Sequence, residues 1–169
     1  MLTILRADRE PYYGQARELI AELAAWDLAQ ADRLRLDPKL ISEFFYAAPD
    51  ELPGTYAPPG GSLFLATHSG RPAGCVAFRR WSSAACEMKR MYVRPEFRGM
   101  GIARHLLNAL IQAARESGYR LMRLETTNAA ERAISLYRNL GFQPCQPYYA
   151  IPDSFREATI FMELTLTEA

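Results

Sequence analysis

The chain has 169 residues, of which 49% are hydrophobic and 23% charged, and its formal net charge is +1. A chain of this length is expected to form one domain, residues 1–169, around one sizeable core. This charge gives no support to nucleic-acid binding, and no apolar run approaches the roughly 18 residues of a membrane helix. Because the apolar run at residues 1–5 is too short for a signal-peptide core, we expect a cytoplasmic protein.

Three cysteines, Cys75, Cys86 and Cys145, lie in or beside apolar segments and lack C-x-x-C spacing. Cysteines in such surroundings usually act as small hydrophobic side chains. The sequence therefore predicts buried, reduced thiols and no metal site.

The N-terminal third is predicted to begin with a strand and two helices. Residues 3–7 favour the strand, and Pro11 suits the first turn of a helix that keeps one apolar face to about Ala29. The Asp-Pro pair at 37–38 favours the cap and the first residue of a second helix. This second helix is predicted to end before Pro49.

Three strands are predicted to follow a loop at residues 49–61, which is rich in proline and glycine. Long loops in compact domains often serve as lids or binding loops. The strands are residues 62–68, 74–81 and 87–93, with a Ser-Gly-Arg-Pro turn between the first two, and the third stops before Pro95. Together they predict an antiparallel meander.

The next stretch joins two glycines to a helix. Residues 98–103 read Arg-Gly-Met-Gly-Ile-Ala, and Ile102, Leu106, Leu110 and Ile111 recur at helical spacing. Glycines let the backbone bend tightly, and the start of a helix offers free N–H groups and the positive end of its dipole. This arrangement predicts a seat for phosphate or pyrophosphate.

The remaining chain is predicted to form a strand at residues 121–126, a helix from about Ala129 to Leu140 and an alternating strand at residues 157–166. The whole pattern predicts an α/β (α+β) domain in which helices flank a mixed sheet of six or seven strands. The alternating last strand is a candidate edge for a homodimer.

Spacing separates three kinds of phosphate loop. A P-loop requires Lys and then Ser or Thr where Ile102 and Ala103 stand, and a dinucleotide fingerprint requires a small residue in place of Arg104. The pattern Arg98-x-x-Gly101-x-Ala103 instead resembles the coenzyme A loop of the GCN5-related N-acetyltransferase (GNAT) superfamily, Gln/Arg-x-x-Gly-x-Gly/Ala. A strand-to-helix turn without a ligand is the alternative for this loop.

Two further features resemble the same family, and the resemblance runs from about residue 63 to residue 166. Glu87 lies eleven residues before Arg98, the spacing at which histone-acetylating members carry their general base. Tyr137, on the last predicted helix, is followed by Leu-Gly-Phe at residues 140–142. The resemblance implies a mixed, mostly antiparallel sheet whose central strands splay apart.

The resemblance also implies that acetyl-CoA lies in that splayed gap, between the strands at residues 87–93 and 121–126. Its pantetheine arm would pair with the backbone of the first strand, and its pyrophosphate with N–H groups of the glycine loop. Asn128 is expected to cap the last helix together with Glu131 and, in the alternative, to contact the cofactor. The implied cofactor-binding residues are Met91, Tyr92, Val93, Arg98, Gly99, Met100, Gly101, Ile102, Ala103, Arg104 and Asn128.

The implied reaction is direct attack of an amine on the acetyl thioester in a ternary complex. An alkyl ammonium ion titrates near a pH of about 10, so it must lose a proton before it attacks. Glu87 is the candidate base, acting through a water, unless it is a strand-end carboxylate paired with Lys89 or Arg90. Strand alternation predicts that Lys89 shares the face of Glu87 and that Arg90 lies on the opposite face. Tyr137 is the candidate acid for the leaving thiolate, and a core tyrosine is the alternative.

The acceptor is implied to enter beside the first two helices and the segment before the last strand. Tyr56, Tyr148 and Tyr149 are candidates to bind it, because aromatic side chains often enclose flat or cationic groups. Trp26 and Phe44 fit core positions better. The chain has no acidic run to hold a basic peptide, so we expect a small-molecule or amino-acid-like amine. A protein amine as acceptor and a non-catalytic, acetyl-CoA-binding regulatory module stay open.

Overall fold

A computed structural model describes residues 1–46 and 52–166 of the chain. These residues form seven strands and six helices, with short 3₁₀ turns at Gly54–Tyr56 and Pro95–Phe97. The strands are β1 Leu2–Arg6, β2 Ser62–His68, β3 Arg71–Arg80, β4 Ala85–Val93, β5 Leu121–Thr127, β6 Gln143–Pro144 and β7 Thr159–Thr165. The helices are α1 Tyr12–Ala29, α2 Ala31–Leu34, α3 Pro38–Phe45, α4 Ile102–Glu116, α5 Glu131–Asn139 and α6 Asp153–Arg156.

The seven strands form one sheet in the order β1-β2-β3-β4-β5-β7-β6. The β4–β5 pair is parallel, and the other pairs are antiparallel. The predicted fold class, a mostly antiparallel mixed sheet flanked by helices, is therefore confirmed. Among the residues that the structure describes, no helix is both long and apolar enough to cross a membrane.

Local chemistry explains the helix starts in the N-terminal third. Helix α1 begins directly after Pro11, as its sequence predicts. Helix α3 has Asp37 as its N-cap, and the Asp37 carboxylate accepts a hydrogen bond from the N–H of Lys39 at 2.8 Å. Helix α3 ends at Phe45, before Pro49 as predicted, and the start of the loop predicted from residue 49 lies outside the described residues.

The sheet has a packed layer on each face. On one face α4 buries Leu106, Leu107 and Leu110 against the strands. On the other face α1 packs Ala16 and Leu19 against β2 and β3. Since apolar burial drives this packing, the two helices fix the sheet between them.

A bulge in β4 changes which side chains share a face. Arg90 has a φ of 60°, and the register with β3 shifts by one residue beside it. The side chain of Arg90 lies over the ring of Tyr46, 4.9 Å from its centroid, and donates to the carbonyl oxygen of Phe45 at 3.3 Å. Arg90 therefore lies on the α1–α3 side together with Lys89. The prediction that Arg90 faces away from Glu87 is wrong, because a bulge interrupts strand alternation.

Strands β4 and β5 pair only over a short length and then diverge. Their register joins Ala85–Glu87 to Leu121–Arg123. Beyond Glu87, β4 keeps its pairing with β3 as far as Val93, and none of the described strands pairs with its other edge there. The splayed gap that the family resemblance implies is present, and it opens directly after Glu87.

A substitution at Gly74 on β3 can test how closely β3 and β4 approach each other beside this gap. A Cβ atom at Gly74 would lie 2.6 Å from the carbonyl oxygen of Tyr92 and 3.1 Å from Cγ2 of Val93. We expect Gly74→Ala to lower the free energy of unfolding by about 1–3 kcal/mol in urea denaturation, because the backbone oxygen cannot move away cheaply.

Gly14→Ala is the matched control, since its added methyl group would meet only the ends of the flexible Glu10 and Arg17 side chains. Alanine is favoured over glycine within a helix by about 1 kcal/mol, so this variant should keep or raise the stability. Equal stabilities for Gly74→Ala and the wild type would show that β3 and β4 do not approach as described.

Candidate active site

A cleft of about 770 Å³ passes through the gap between β4 and β5. One wall, which we call the loop half, consists of residues 98, 99 and 101–104 together with residues of α5. The other wall, which we call the helix half, consists of residues from α1 to α3, including Leu23, Trp26 and Ile41. Trp26, expected to be a core residue, lies on this wall instead. A molecule in the gap can therefore be reached by a second molecule from the opposite face of the sheet.

The loop half is shaped by two glycines and the start of α4. Gly99 has a φ of 84° and Gly101, the N-cap of α4, has a φ of 76°. Side chains other than glycine adopt this left-handed region only at a cost, so the turn depends on these residues. The first N–H groups of α4 have no partner within the helix, and the helix dipole makes this end positive. The loop therefore has the backbone geometry from which an anion seat is predicted.

The arginine and methionine side chains of this loop point in different directions. Nε of Arg98 donates to the carbonyl oxygen of Val93 at 3.0 Å, so Arg98 ties the loop to the end of β4. Arg98 and Arg104 line the cleft. Met100 has 52% of its surface exposed and is not part of the cleft wall, so it can contribute only backbone there.

Residues of β4 and α5 form the floor of the cleft. Met91, Tyr92 and Val93 line it along the open edge of β4, and Tyr137 lines it from α5. Tyr137 is 4% exposed, and burial, with a smaller contribution from the Glu125 charge, raises the pKa of its hydroxyl well above the usual range. At neutral pH this hydroxyl keeps its proton and can donate it.

Glu87 lies behind the cleft wall. It is 1% exposed, and its Oε2 accepts from Nε of Arg79 at 2.8 Å and lies 2.7 Å from Nη2 of Arg79. The sequence had suggested Lys89 or Arg90 as ion-pair partners, but Arg79 on the neighbouring strand takes that position. Burial raises the pKa of Glu87, although the positive charges of Lys89 and Arg79 oppose this effect.

A second carboxylate, Glu125 on β5, reaches the cleft wall and was not identified from the sequence. Its side chain is 7% exposed, and its Oε1 accepts from Nζ of Lys89 at 2.5 Å. Burial acts to raise the pKa of Glu125, but the charge and hydrogen bond of Lys89 outweigh it and the pKa is lowered. Arg123 lies opposite Glu87 in the register of β4 and β5. Alternation along β5 places Glu125 on the same face as Arg123, and this alternation is the sequence signal that could have identified Glu125.

The segment before β7 closes the site over these carboxylates. The hydroxyl of Tyr148 lies 3.1 Å from Oε1 of Glu87 and 3.4 Å from Oε2 of Glu125. Tyr149 packs against Tyr148, with ring centroids 5.3 Å apart, and also interacts with Glu125. Tyr148 and Tyr149 are thus brought to the carboxylates, and neither lines the cleft itself.

Tyr56 and Asn128 are not among the residues that line the cleft. Tyr56, predicted on a loop to bind the acceptor, is 4% exposed and packs in the core between α1 and the sheet. Asn128 was expected to cap α5, but the N-cap is Ala130, and the Asn128 side chain donates to the carbonyl oxygen of Glu157 at 3.4 Å. The helix begins two residues later than that capping prediction requires.

Removing Arg79 should destabilise the fold by leaving Glu87 buried without its cation. We expect Arg79→Met to lower the free energy of unfolding by about 1–3 kcal/mol at pH 7, a value reduced from that of a fully buried pair because Arg79 is 38% exposed. The deficit should shrink as pH falls, because protonation of Glu87, whose pKa is already raised, removes the unpaired charge.

The matched control is Arg71→Met, which removes an exposed ion pair with Glu96. Exposed pairs contribute about 0–1 kcal/mol, so little change is expected in the same urea titrations. A deficit for Arg79→Met that matches this control at every pH would contradict the pairing described for Glu87.

Comparison with known proteins gives a consistent result. The model of the acetyltransferase (GNAT) family matches residues 24–142. An uncharacterized N-acetyltransferase of Schizosaccharomyces pombe is 39% identical over 99 residues, which are 57% of this chain, and the chain spans 61% of that relative's length.

Solved structures share the fold over almost the full chain. A putative acyl-CoA N-acyltransferase from Klebsiella pneumoniae has a TM-score of 0.71 and 28% identity, with 99% of both chains covered. A GNAT family acetyltransferase from Elizabethkingia anophelis with acetyl-CoA bound has a TM-score of 0.58 and 20% identity, with 97% of both chains covered. The second likeness supports the fold alone.

Proposed function

Because the chain belongs to the acetyltransferase (GNAT) family, we propose that it transfers the acetyl group of acetyl-CoA to the amine of a small molecule. The proposal treats residues 1–169 as one N-acetyltransferase domain. The observation that supports it best is the cleft through the β4–β5 gap, which joins the glycine loop on one face to the Glu125 carboxylate, with Glu87 behind it, on the other.

The loop half fits the phosphates and the pantetheine arm of acetyl-CoA. The amides of residues 98–104 would hold the pyrophosphate, since they combine free N–H groups with a helix dipole. The open edge of β4, residues 91–93, would pair with the amides of the pantetheine arm as an added strand does. Within residues 1–46 and 52–166, no cluster of His, Cys, Asp or Glu side chains suits a metal ion, and this proposal requires none.

The chemistry follows from the two sides of the gap. The amine nitrogen, once neutral, attacks the thioester carbonyl carbon, the C–S bond breaks, and the thiolate takes a proton from Tyr137 in the loop half. The N–H proton that the attacking nitrogen loses as it becomes an amide restores the Tyr137 hydroxyl. Glu87 and Glu125 supply the carboxylates that remove the proton of the amine. Each acid or base step typically contributes about 10²- to 10⁴-fold in rate.

The helix half suits a small acceptor with an apolar body. Its wall carries Leu23, Trp26, Leu36 and Ile41, and the carboxylate of Glu125 lies at its inner end. The same wall also carries Asp27, Lys89 and Arg90, so an amine would meet carboxylate acceptors balanced by cations beside these apolar side chains.

Binding of acetyl-CoA tests the loop half. Isothermal titration calorimetry should give micromolar affinity for the wild type and no measurable binding for Gly101→Glu, which puts bulk and negative charge into the anion seat. Gly70→Glu is the matched control, because Gly70 also has a left-handed φ, 79°, but lies in the β2–β3 turn with open space around it. Loss of binding in both variants, or in neither, would contradict the assignment of the seat.

Turnover tests the reaction and the acceptor. We expect release of free thiol from acetyl-CoA with at least one member of a panel of phenethylamine, ethanolamine, spermidine, free amino acids and short peptides. Release with peptides alone would favour a protein amine as acceptor. Tight binding of acetyl-CoA without release of thiol for any member of the panel would overturn the proposed enzymatic function and favour a regulatory module.

A further inference from the structure

Two carboxylates, one tyrosine hydroxyl and two cations form a connected cluster at the inner end of the helix half. We infer that the acceptor amine gives its proton to Glu125, and that the Tyr148 hydroxyl relays it to Glu87. This inference rests on the proposed function. It makes Glu125 the residue that contacts the acceptor. Tyr148 and Glu87 are relay residues that act through Glu125.

Access decides which carboxylate meets the acceptor. Glu125 is part of the cleft wall, whereas Glu87 is 1% exposed and is not. Both oxygens of each carboxylate are engaged within the cluster, those of Glu87 by Arg79 and Tyr148 and those of Glu125 by Lys89 and Tyr148, so access to the cleft is what distinguishes them. An ammonium ion in the cleft can therefore reach Glu125 directly, and it can reach Glu87 only through the groups in between.

The carboxyl groups of Glu87 and Glu125 hydrogen-bond to each other, and a second path between them runs through the tyrosine hydroxyl. This hydroxyl lies 3.1 Å from Glu87 and 3.4 Å from Glu125 and carries a single proton, so it can donate to only one of them at a time. The second hydrogen bond forms when the other carboxyl is protonated and donates to the hydroxyl oxygen. A proton that arrives on Glu125 can thus pass to Tyr148 while Tyr148 passes its own proton to Glu87.

The charges around the path set its direction. Lys89 pairs with Glu125 and stabilises its ionised form, while burial favours the protonated form of Glu87. The proton therefore enters at a carboxylate that is ionised at neutral pH and ends on the carboxylate that holds it better. The charged and titratable groups that face the cluster are Arg79 on β3, Lys89 on β4, Arg123 on β5, Asp27 on α1, Tyr137 on α5, Tyr149 beside Tyr148, and Tyr56 beside Arg79.

The step is balanced as follows. The N–H bond of the ammonium ion breaks and its proton forms an O–H bond on Glu125, which frees the nitrogen lone pair to attack the thioester. Glu125 returns to its ionised form when the proton moves on through Tyr148, so Glu87 ends protonated and Tyr148 unchanged. The proton on Glu87 is released to solvent by the reverse path after the product leaves.

Tyr148→Phe removes the hydroxyl and keeps the ring, which packs 5.1 Å from Trp81 and 5.1 Å from Phe161. We expect this variant to bind acetyl-CoA like the wild type and to lose about 10²-fold in kcat with the amine that the wild type turns over best. The acid limb of its pH–rate profile should move to lower pH, because Glu125, with its lowered pKa, then acts without Glu87.

Tyr119→Phe is the matched control. Its hydroxyl donates to the carbonyl oxygen of Gly60 at 2.8 Å, away from the cleft, so both kcat and the acid limb should stay unchanged. The carboxylates are separated by a second pair of variants. Glu125→Gln should lower kcat and raise KM for the amine, and Glu87→Gln should lower kcat alone. A Tyr148→Phe enzyme with wild-type kcat and an unmoved acid limb would overturn the relay.

A titration that needs no acceptor separates failure of the relay from failure of the proposed function. With ¹³C labels on the Glu carboxyl and Tyr Cζ carbons, NMR should show Glu87 holding its proton to higher pH than Glu125. The Tyr148 Cζ resonance should change with the Glu87 titration. If Tyr148 responds to neither carboxylate, the relay is wrong even for an active enzyme. If no amine supports turnover, the proposed function is wrong, and the titration still decides whether the carboxylates share a proton.

Discussion

The site depends on the point at which β4 and β5 stop pairing. Parallel pairing ends at Glu87, and beyond it the two strands are held apart by different neighbours, β3 on one side and β7 on the other. The open edge of β4, the start of α4 and Glu125 line this gap, and Glu87 lies behind Glu125. Without the divergence, hydrogen bonds between the strands would fill the position that a ligand can take.

Carboxylates at the centre of a sheet lie in a low-dielectric environment, and the cluster around Glu87 shows how this chain accommodates their charges. Unpaired buried carboxylates are strongly unfavourable, so each has a cation from a neighbouring strand position, Arg79 for Glu87 and Lys89 for Glu125. Two acids and two bases keep the cluster close to neutral, while unequal burial and pairing separate the pKa values of the acids. That difference gives a proton a preferred direction.

Much of the fold could be predicted from the sequence, because hydrophobic period, Asp-Pro capping and the paired glycines are local signals. The glycine loop, Tyr137 and the buried position of Cys86 belong to this class. The remaining features depend on contacts across the sheet. The bulge at Arg90 is set by pairing with β3, and Glu125 gains its position only from the divergence of β5. Tyr56 could not be distinguished from a ligand-binding residue, because a tyrosine on a loop can equally pack into the core.

Hydrogen exchange with and without acetyl-CoA tests most directly whether the gap is the cofactor site. Amides gain protection where a ligand accepts their hydrogen bonds or excludes solvent. The account predicts slower exchange for residues 91–93 and 98–104 on addition of acetyl-CoA, and unchanged exchange in the β3–β4 turn at residues 81–84. Unchanged exchange at β4 and the glycine loop in the presence of saturating acetyl-CoA, or protection confined to other parts of the sheet, would contradict it.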